Sequence, residues 1–332
     1  MKIININTQS SQPKYKQIVW SVEMAIAEKR LKRDDKLPSV NKVSLEFSIS
    51  RDTVLLAYEE LKKRGIIYAI LGKGYYVKSV AFTLEQRIFL LFDELNAFKE
   101  DLYTSFMEHV NSNYQIDIFF HHFNIDVFKK LIEESRGNYA KYIIMPSNLE
   151  GTTEYIQTLP KQATYILDQI NESLLEYSAI YQDFVTDMYE GLSYGKGRLE
   201  KYTELILIFP GNKEPIGMVI GFEKFCGEHQ WKHSVVASFG TEPIRKGSLF
   251  IIPNDRDLVR VIEQGKAQGL TLGTDYGIIS YNEAPLKKVV ENGISTLSTD
   301  FKAMGKKLAE LIRTTAPAQI KNESQLLLRN SI

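Results

Sequence analysis

Several places in the chain hold residue types whose spacing could do chemistry. Gly191-Leu192-Ser193-Tyr194-Gly195 fits G-x-S-x-G, in which a serine on a sharp strand-to-helix turn serves as a nucleophile. Here the surrounding residues run with helical periodicity, so Ser193 is expected late in a helix and no catalytic residue is assigned. Gly72-Lys73-Gly74 pairs two glycines with a cation, but neither GxxxxGK followed by Ser or Thr nor a GxGxxG after a strand accompanies it, which excludes the nucleotide-binding motifs. The five histidines, His121-His122 among them, lack HExxH or any zinc-type Cys/His spacing. No metal and no cofactor are expected. What remains is hydrogen bonding. Ser50-Arg51-Asp52-Thr53 sets short hydroxyls beside a guanidinium, groups that suit phosphates and base edges.

The elements that must position these residues follow from the apolar spacing. Tyr15, Ile18, Val19, Val22 and Ile26 recur at helical intervals behind Pro13, giving a first helix. A second starts at Ser39, whose hydroxyl can cap free amides, and buries Val40, Val43 and Phe47. A short polar break leads to a third, with Ser50 as N-cap, Val54, Ala57, Tyr58 and Leu61 inward, and Gly65 as terminator. Two helices joined by a tight turn form a helix-turn-helix, whose second helix enters the major groove with its N-terminal residues leading. Arg51 and Thr53 are therefore placed to meet DNA. Residues 66–77 read as a hairpin with Lys73 at its tip, a wing whose glycines permit close backbone approach.

Charge supports the same division. Residues 1–80 hold 15 Lys and Arg against 8 Asp and Glu, while the rest of the chain holds 26 against 33, so a net charge of zero conceals a basic head on an acidic body. No charged, apolar leader and no apolar run of membrane-spanning length are found, so a cytoplasmic protein with no membrane partner is expected. Cys226, the only cysteine, lies in an amphipathic helical pattern and is expected to be a buried, inert thiol.

Tyr15-Lys16-Gln17-Ile18, Leu37-Pro38-Ser39, Ser50-Arg51-Asp52-Thr53-Val54, Ala57-Tyr58, Leu61, Gly65 and Gly72-Lys73-Gly74-Tyr75-Tyr76-Val77 stand in an order and spacing that resembles the GntR-family DNA-binding domain, over residues 13–79. The resemblance implies a homodimer on a palindromic operator in double-stranded DNA. It implies contacts from Ser39, Asn41, Ser50, Arg51, Thr53, Lys73 and Gly74. The family usually carries an arginine where this chain has Asn41, which bonds a phosphate or an adenine edge instead and alters the base preference.

Residues 80–85 carry no strong pattern and are expected to be a linker between a winged helix-turn-helix at 1–79 and a body at 86–332. The body alternates apolar runs with helical stretches: strands near 88–92, 116–120, 142–145 and 164–167, then a restart after Asp168 with strands near 179–181, 205–209, 234–237, 249–252 and 277–281. Two α/β halves imply two sheets with a cleft between them. Ile143-Ile144-Met145-Pro146, Pro253-Asn254-Asp255, Ile278-Ile279-Ser280-Tyr281-Asn282-Glu283, Thr296-Leu297 before a terminal helix with Gly305, and Leu328-Arg329-Asn330-Ser331 resemble the effector domain of LacI/GalR-type regulators and periplasmic sugar-binding proteins. That resemblance implies a two-lobed, periplasmic-binding-protein-like domain closing on a small sugar-like effector. Carried over, Asn254 and Asn282 become the leading ligand contacts, with Asp183 next and Asp93, Asn96, His121 and Asp168 as further strand-end candidates. Many relatives place an arginine where this chain has Met218, so a neutral sugar is favoured over an anion, with Lys213 and Arg256 as the other residues able to supply charge.

The expected function is a DNA-binding transcription regulator, a repressor of carbohydrate metabolism genes, and not an enzyme. The rivals are a two-lobed sugar-binding protein of transport, opposed by the basic head, and a pyridoxal-phosphate-dependent fusion enzyme, opposed by a body too short for one.

Overall fold

The computed structural model describes residues 3–7, 12–80, 86–240, 242–314 and 316–332. The head is built from α1 (Lys14–Ala27), α2 (Val40–Phe47) and α3 (Arg51–Lys63), followed by the antiparallel pair β1 (Ile67–Ile70) and β2 (Gly74–Val77). Local chemistry sets these limits. Ser39 Oγ accepts from the Lys42 amide at 3.2 Å and Ser50 Oγ from the Thr53 amide at 3.1 Å, each satisfying a helix-terminal donor. Ser48 turns the chain between α2 and α3 at φ 52°, and Gly65 stops α3 at φ 72°, a conformation that favours glycine. Ile18, Val22, Val43, Val54, Leu61 and Val77 form the core with Tyr58, whose hydroxyl donates to the Pro38 carbonyl at 2.7 Å.

In the body, β3 (Gln86–Phe92), β4 (Tyr114–Phe120), β5 (Lys141–Ile144), β6 (Thr164–Asp168) and β7 (Ser178–Tyr181) join β13 (Gln319–Lys321) in one parallel sheet, ordered β13-β7-β6-β5-β3-β4. Its helices are α4 (Ala97–His109), α5 (Ile125–Ser135) and the short α6 (Thr152–Ile156). A second sheet orders β14 (Ser324–Leu327), β12 (Ser295–Thr299), β11 (Gly277–Tyr281), β10 (Ser248–Ile252), β8 (Glu204–Ile208) and β9 (Lys232–Val236), with β14 antiparallel. Its helices are α7 (Phe184–Leu199), α8 (Gly217–Glu228) and α9 (Asp255–Ala267). The central strands are covered on both faces, which is why Phe89-Leu90-Leu91-Phe92 and Leu249-Phe250-Ile251-Ile252 are apolar without alternation.

Two details differ from expectation. The second lobe does not restart after Asp168: β7 pairs with β6, placing Leu167 opposite Ile180, and completes the first sheet. The helix after β12, α10 (Phe301–Leu311), returns to the first lobe, where Phe301, Met304 and Leu308 pack with Leu102 and Phe106. The alternation of strand and helix reveals layers, whereas the sheet that receives a given strand is decided by long-range pairing. The chain accordingly passes between lobes at residues 182–183, at 300 and at 322–323. Of the expected linker, residues 81–85 lie outside the described residues.

Candidate functional site

Between the lobes, where the carboxyl ends of both sheets face each other, lies a cleft of about 350 Å³. The loop after β3 contributes Asp93, Glu94 and Asn96, the loop after β4 Phe123, and the end of β6 Asp168. Gln182 and Phe184 enter from the crossing segment. The second lobe supplies Lys213, Met218, Asn254, Tyr281, Asn282 and Lys287.

Each lysine of the cleft is already engaged. Lys99 pairs with Asp93, both side chains buried; Lys213 reaches Glu94 at 2.6 Å; Lys287 reaches Asp255 at 3.0 Å and donates to the carbonyls of Tyr281 and Asn282 at 2.9 Å each. Burial lowers the Lys287 pKa, and the Asp255 and Glu283 charges oppose that shift. Asp168 takes a hydrogen bond from Nε2 of Gln182, and burial raises its pKa against the pull of the Lys99 charge. Three buried polar atoms on residues that line the cleft have no partner among the described residues: Gln182 Oε1, Tyr281 Oη and Asn282 Oδ1. A buried polar group left unsatisfied costs about 1–3 kcal/mol, so a shift of these side chains towards a hydroxyl in the cleft would recover a hydrogen bond. The Phe98 and Phe301 rings, 4.7 Å apart, with Phe123 and Phe184, add apolar surface to the walls. Polar groups converging between aromatic walls suit a polyhydroxylated ring, and a set of fully paired lysines leaves little free positive charge for an anion.

The expected ligand residues divide into those that line the cleft and those that do not. Asp93, Asn96, Asp168, Asn254 and Asn282 line the cleft; His121 and Asp183 do not. His121 is buried, its Nε2 3.0 Å from the Met145 carbonyl, and burial lowers its pKa so that the neutral ring is favoured. Asp183 caps α7, accepting from the Thr186 amide at 3.1 Å. Asn96 caps α4 through the Lys99 amide, and Asn254 caps α9 through the Asp257 amide at 2.9 Å while its Nδ2 donates back to that carboxylate at 2.8 Å. The Asp93 carboxylate is shared among Lys99, the Glu94 amide and the Ser147 hydroxyl. Sequence reasoning missed Gln182, Tyr281 and Lys287. Tyr281 carried a signal, because it ends an apolar strand directly before Asn282.

On the head, Ser39, Asn41, Ser50, Arg51 and Lys73 are exposed, with Arg51 the first residue of α3. Ser39 and Ser50 use their hydroxyl oxygens as caps, and Thr53 Oγ1 sits 2.7 Å from Ser50 Oγ, so these hydroxyls hold the helix ends that carry Asn41 and Arg51. Gly74 has φ 115°, and a Cβ there would lie 3.3 Å from Cε of Lys36, a cation that sequence reasoning did not select. Gly191-x-Ser193-x-Gly195 lies inside α7, where Ser193 Oγ donates to the Tyr189 carbonyl at 2.7 Å. The two glycines let α7 approach the sheet, since a Cβ on either would meet Leu297 or Leu326 at 2.4 and 2.6 Å. No helix among the described residues is long and apolar enough to cross a membrane.

Residues 14–77 match the family described as bacterial regulatory proteins, gntR family. The HTH-type transcriptional repressor YtrA of Bacillus subtilis is 36% identical over 81 residues, 24% of this chain and 62% of that relative, so less than two thirds of its length is spanned. The described fold is similar to a LacI family transcriptional regulator from Silicibacter pomeroyi, with a TM-score of 0.62 at 14% identity over 74% of this chain and 98% of that one. A LacI family regulator from Lactobacillus casei with bound sucrose superposes with a TM-score of 0.61 at 12% identity, over 74% and 99% of the two chains. The chain thus joins a gntR-family helix-turn-helix domain at residues 14–77 to two α/β lobes that have the fold of LacI-family regulators.

Proposed function

We propose that this protein is a sequence-specific transcription repressor of carbohydrate metabolism genes, controlled by a neutral, sugar-like effector that binds between the lobes. The observation that carries the proposal is the cleft itself: a space of about 350 Å³ at the seam of two sheets, lined by Gln182, Tyr281 and Asn282, whose buried Oε1, Oη and Oδ1 have no partner among the described residues, on the same chain as a gntR-family head. In that role residues 1–79 bind DNA, 80–85 link, and 86–332 sense. Asn41, Arg51 and Lys73 contact DNA, with Ser39, Ser50, Thr53 and Gly74 shaping the same surface. Asp168, Gln182, Tyr281 and Asn282 hold effector hydroxyls, with Asp93, Asn96 and Asn254 supporting the walls around them.

The proposal includes a homodimer on a palindromic operator, because one small head makes few contacts and two-fold pairing matches a two-fold site. It includes no catalytic step and no cofactor. An effector that prefers one lobe arrangement shifts the population towards it and so changes how the heads are presented to DNA. A thermal-shift screen of neutral mono- and disaccharides against their phosphates tests the chemistry, since a ligand bound only by the folded state raises the melting temperature. A neutral saccharide is expected to raise it and to weaken operator binding in a gel shift. Stabilisation by phosphorylated sugars alone would overturn the choice of a neutral ligand.

A further inference from the structure

One residue of the second lobe touches the first lobe at several points, far from the crossing segments. Lys213, in the loop between β8 and α8, places its Nζ 2.6 Å from the Glu94 carboxylate and 4.5 Å from the centre of the Phe123 ring. Its carbonyl accepts from Asn148 Nδ2 at 3.0 Å. Glu94, Phe123 and Asn148 follow β3, β4 and β5 of the first sheet.

The position gives these contacts leverage. The crossings leave from β7, β12, β13 and β14, all at one end of the two sheets, whereas β3 and β8 lie towards the other end in the orders β13-β7-β6-β5-β3-β4 and β14-β12-β11-β10-β8-β9. Strands sit about 4.8 Å apart, so β8 stands roughly 14 Å from β12. A rotation about the crossings therefore moves Lys213 further than it moves the cleft floor. The ammonium is half exposed, so its attraction to Glu94 and to the Phe123 ring is modest and weakened by salt, while the Asn148 amide bonds the neutral backbone carbonyl of Lys213.

We propose that Lys213 is a positioning residue that latches the two lobes across the mouth of the cleft and sets their closure before any effector arrives. This deepens the effector reading of the cleft and rests on it for its biological meaning. The latch itself is a property of the unliganded protein. With the latch made, the lobes rest near closure; with it broken, they part about the crossings.

The test uses full-length, ligand-free protein with spin labels on Lys130→Cys in α5 and Glu263→Cys in α9, Cys226 being buried and out of reach. Interlobe distances are measured by double electron-electron resonance at low and at molar salt. Lys213→Met and Glu94→Gln should each shift the distribution to longer separations at low salt, the double variant should shift it no further than the larger single effect, and Lys213→Arg should restore the parent distribution. Molar salt should move the parent towards Lys213→Met. Lys224→Met, on α8 of the same lobe, should leave the distribution unchanged. A Lys213→Met distribution that overlays the parent at low salt, or shifts of Lys213→Met and Glu94→Gln that add, would overturn the latch. Since no saccharide is present, failure here would leave the effector reading intact, and failure of a saccharide to bind would leave this result intact.

Discussion

Asn254 and Asn282 both follow strands of the second sheet and both line the cleft, yet their side chains are committed differently. Both amide ends of Asn254 bond the first turn of α9, whereas Oδ1 of Asn282 has no partner among the described residues. Asn254→Ala should therefore lower stability by about 1 kcal/mol in urea unfolding, the usual cost of a lost cap. Asn282 sits at φ 59°, so glycine removes its side chain without strain, and Asn282→Gly should weaken saccharide binding about tenfold by calorimetry at unchanged operator affinity. Equal effects of the two changes on saccharide binding would contradict this division. Asp187 on α7 carries a separate expectation. Burial raises its carboxyl to about 6, against the pull of Lys321 at 3.5 Å. Its folded pKa lies above the unfolded value of about 3.9, so the fold favours the neutral form, and stability from this group is lost as pH rises from about 4 to 6. Asp187→Asn should then stabilise the protein at pH 7.5, on the order of 2 kcal/mol, and by little near pH 4, as thermal melts across that range would show. On the head, Arg51→Ala should weaken operator binding by roughly five- to 150-fold in a gel-shift series, the cost of about 1–3 kcal/mol for a lost base contact.

At the scale of elements, close helix packing decides which glycines are replaceable. A Cβ on Gly305 of α10 would lie 2.2 Å from the Leu102 carbonyl of α4, and backbone cannot yield as a flexible side chain does. Gly305→Ala should cost on the order of 1–3 kcal/mol in urea unfolding. Gly227, near the end of α8 with nothing within 4 Å of its would-be Cβ, should accept alanine with a neutral or slightly stabilising result. The head was legible in the sequence almost element by element, because Ser39, Ser50 and Gly65 act through local bonds that spacing exposes. In the body the longer strands and helices were legible for the same reason. The destination of β7 and α10 was not, since it depends on pairing with β6 and packing against α4. Strands β13 and β14, of three and four residues with mixed polarity, were too short to signal their presence. Within the cleft, Asn282 was found as a polar residue at a strand end and Tyr281 beside it was passed over despite the apolar run it ends, whereas Lys287 was passed over because a buried lysine gives no sign of burial in sequence alone.

At the scale of the whole molecule, a basic head and an acidic two-lobed body act as one device only if cleft and operator communicate. A dimer is the expected working unit, and light scattering at micromolar concentration should give twice the mass of the 332-residue chain. Communication has a thermodynamic signature that does not depend on its route. If effector weakens operator binding by some factor, operator must weaken effector binding by the same factor. The most direct test is calorimetric titration of the saccharide giving the largest thermal shift into the free protein and into its operator complex, alongside operator binding measured with and without that saccharide. Weaker saccharide binding to the complex is expected, by roughly five- to 150-fold, with the same factor in the operator titration. Equal saccharide affinity in the two states would mean that the cleft binds a sugar without controlling DNA, and the proposed control of the head by the cleft would be wrong.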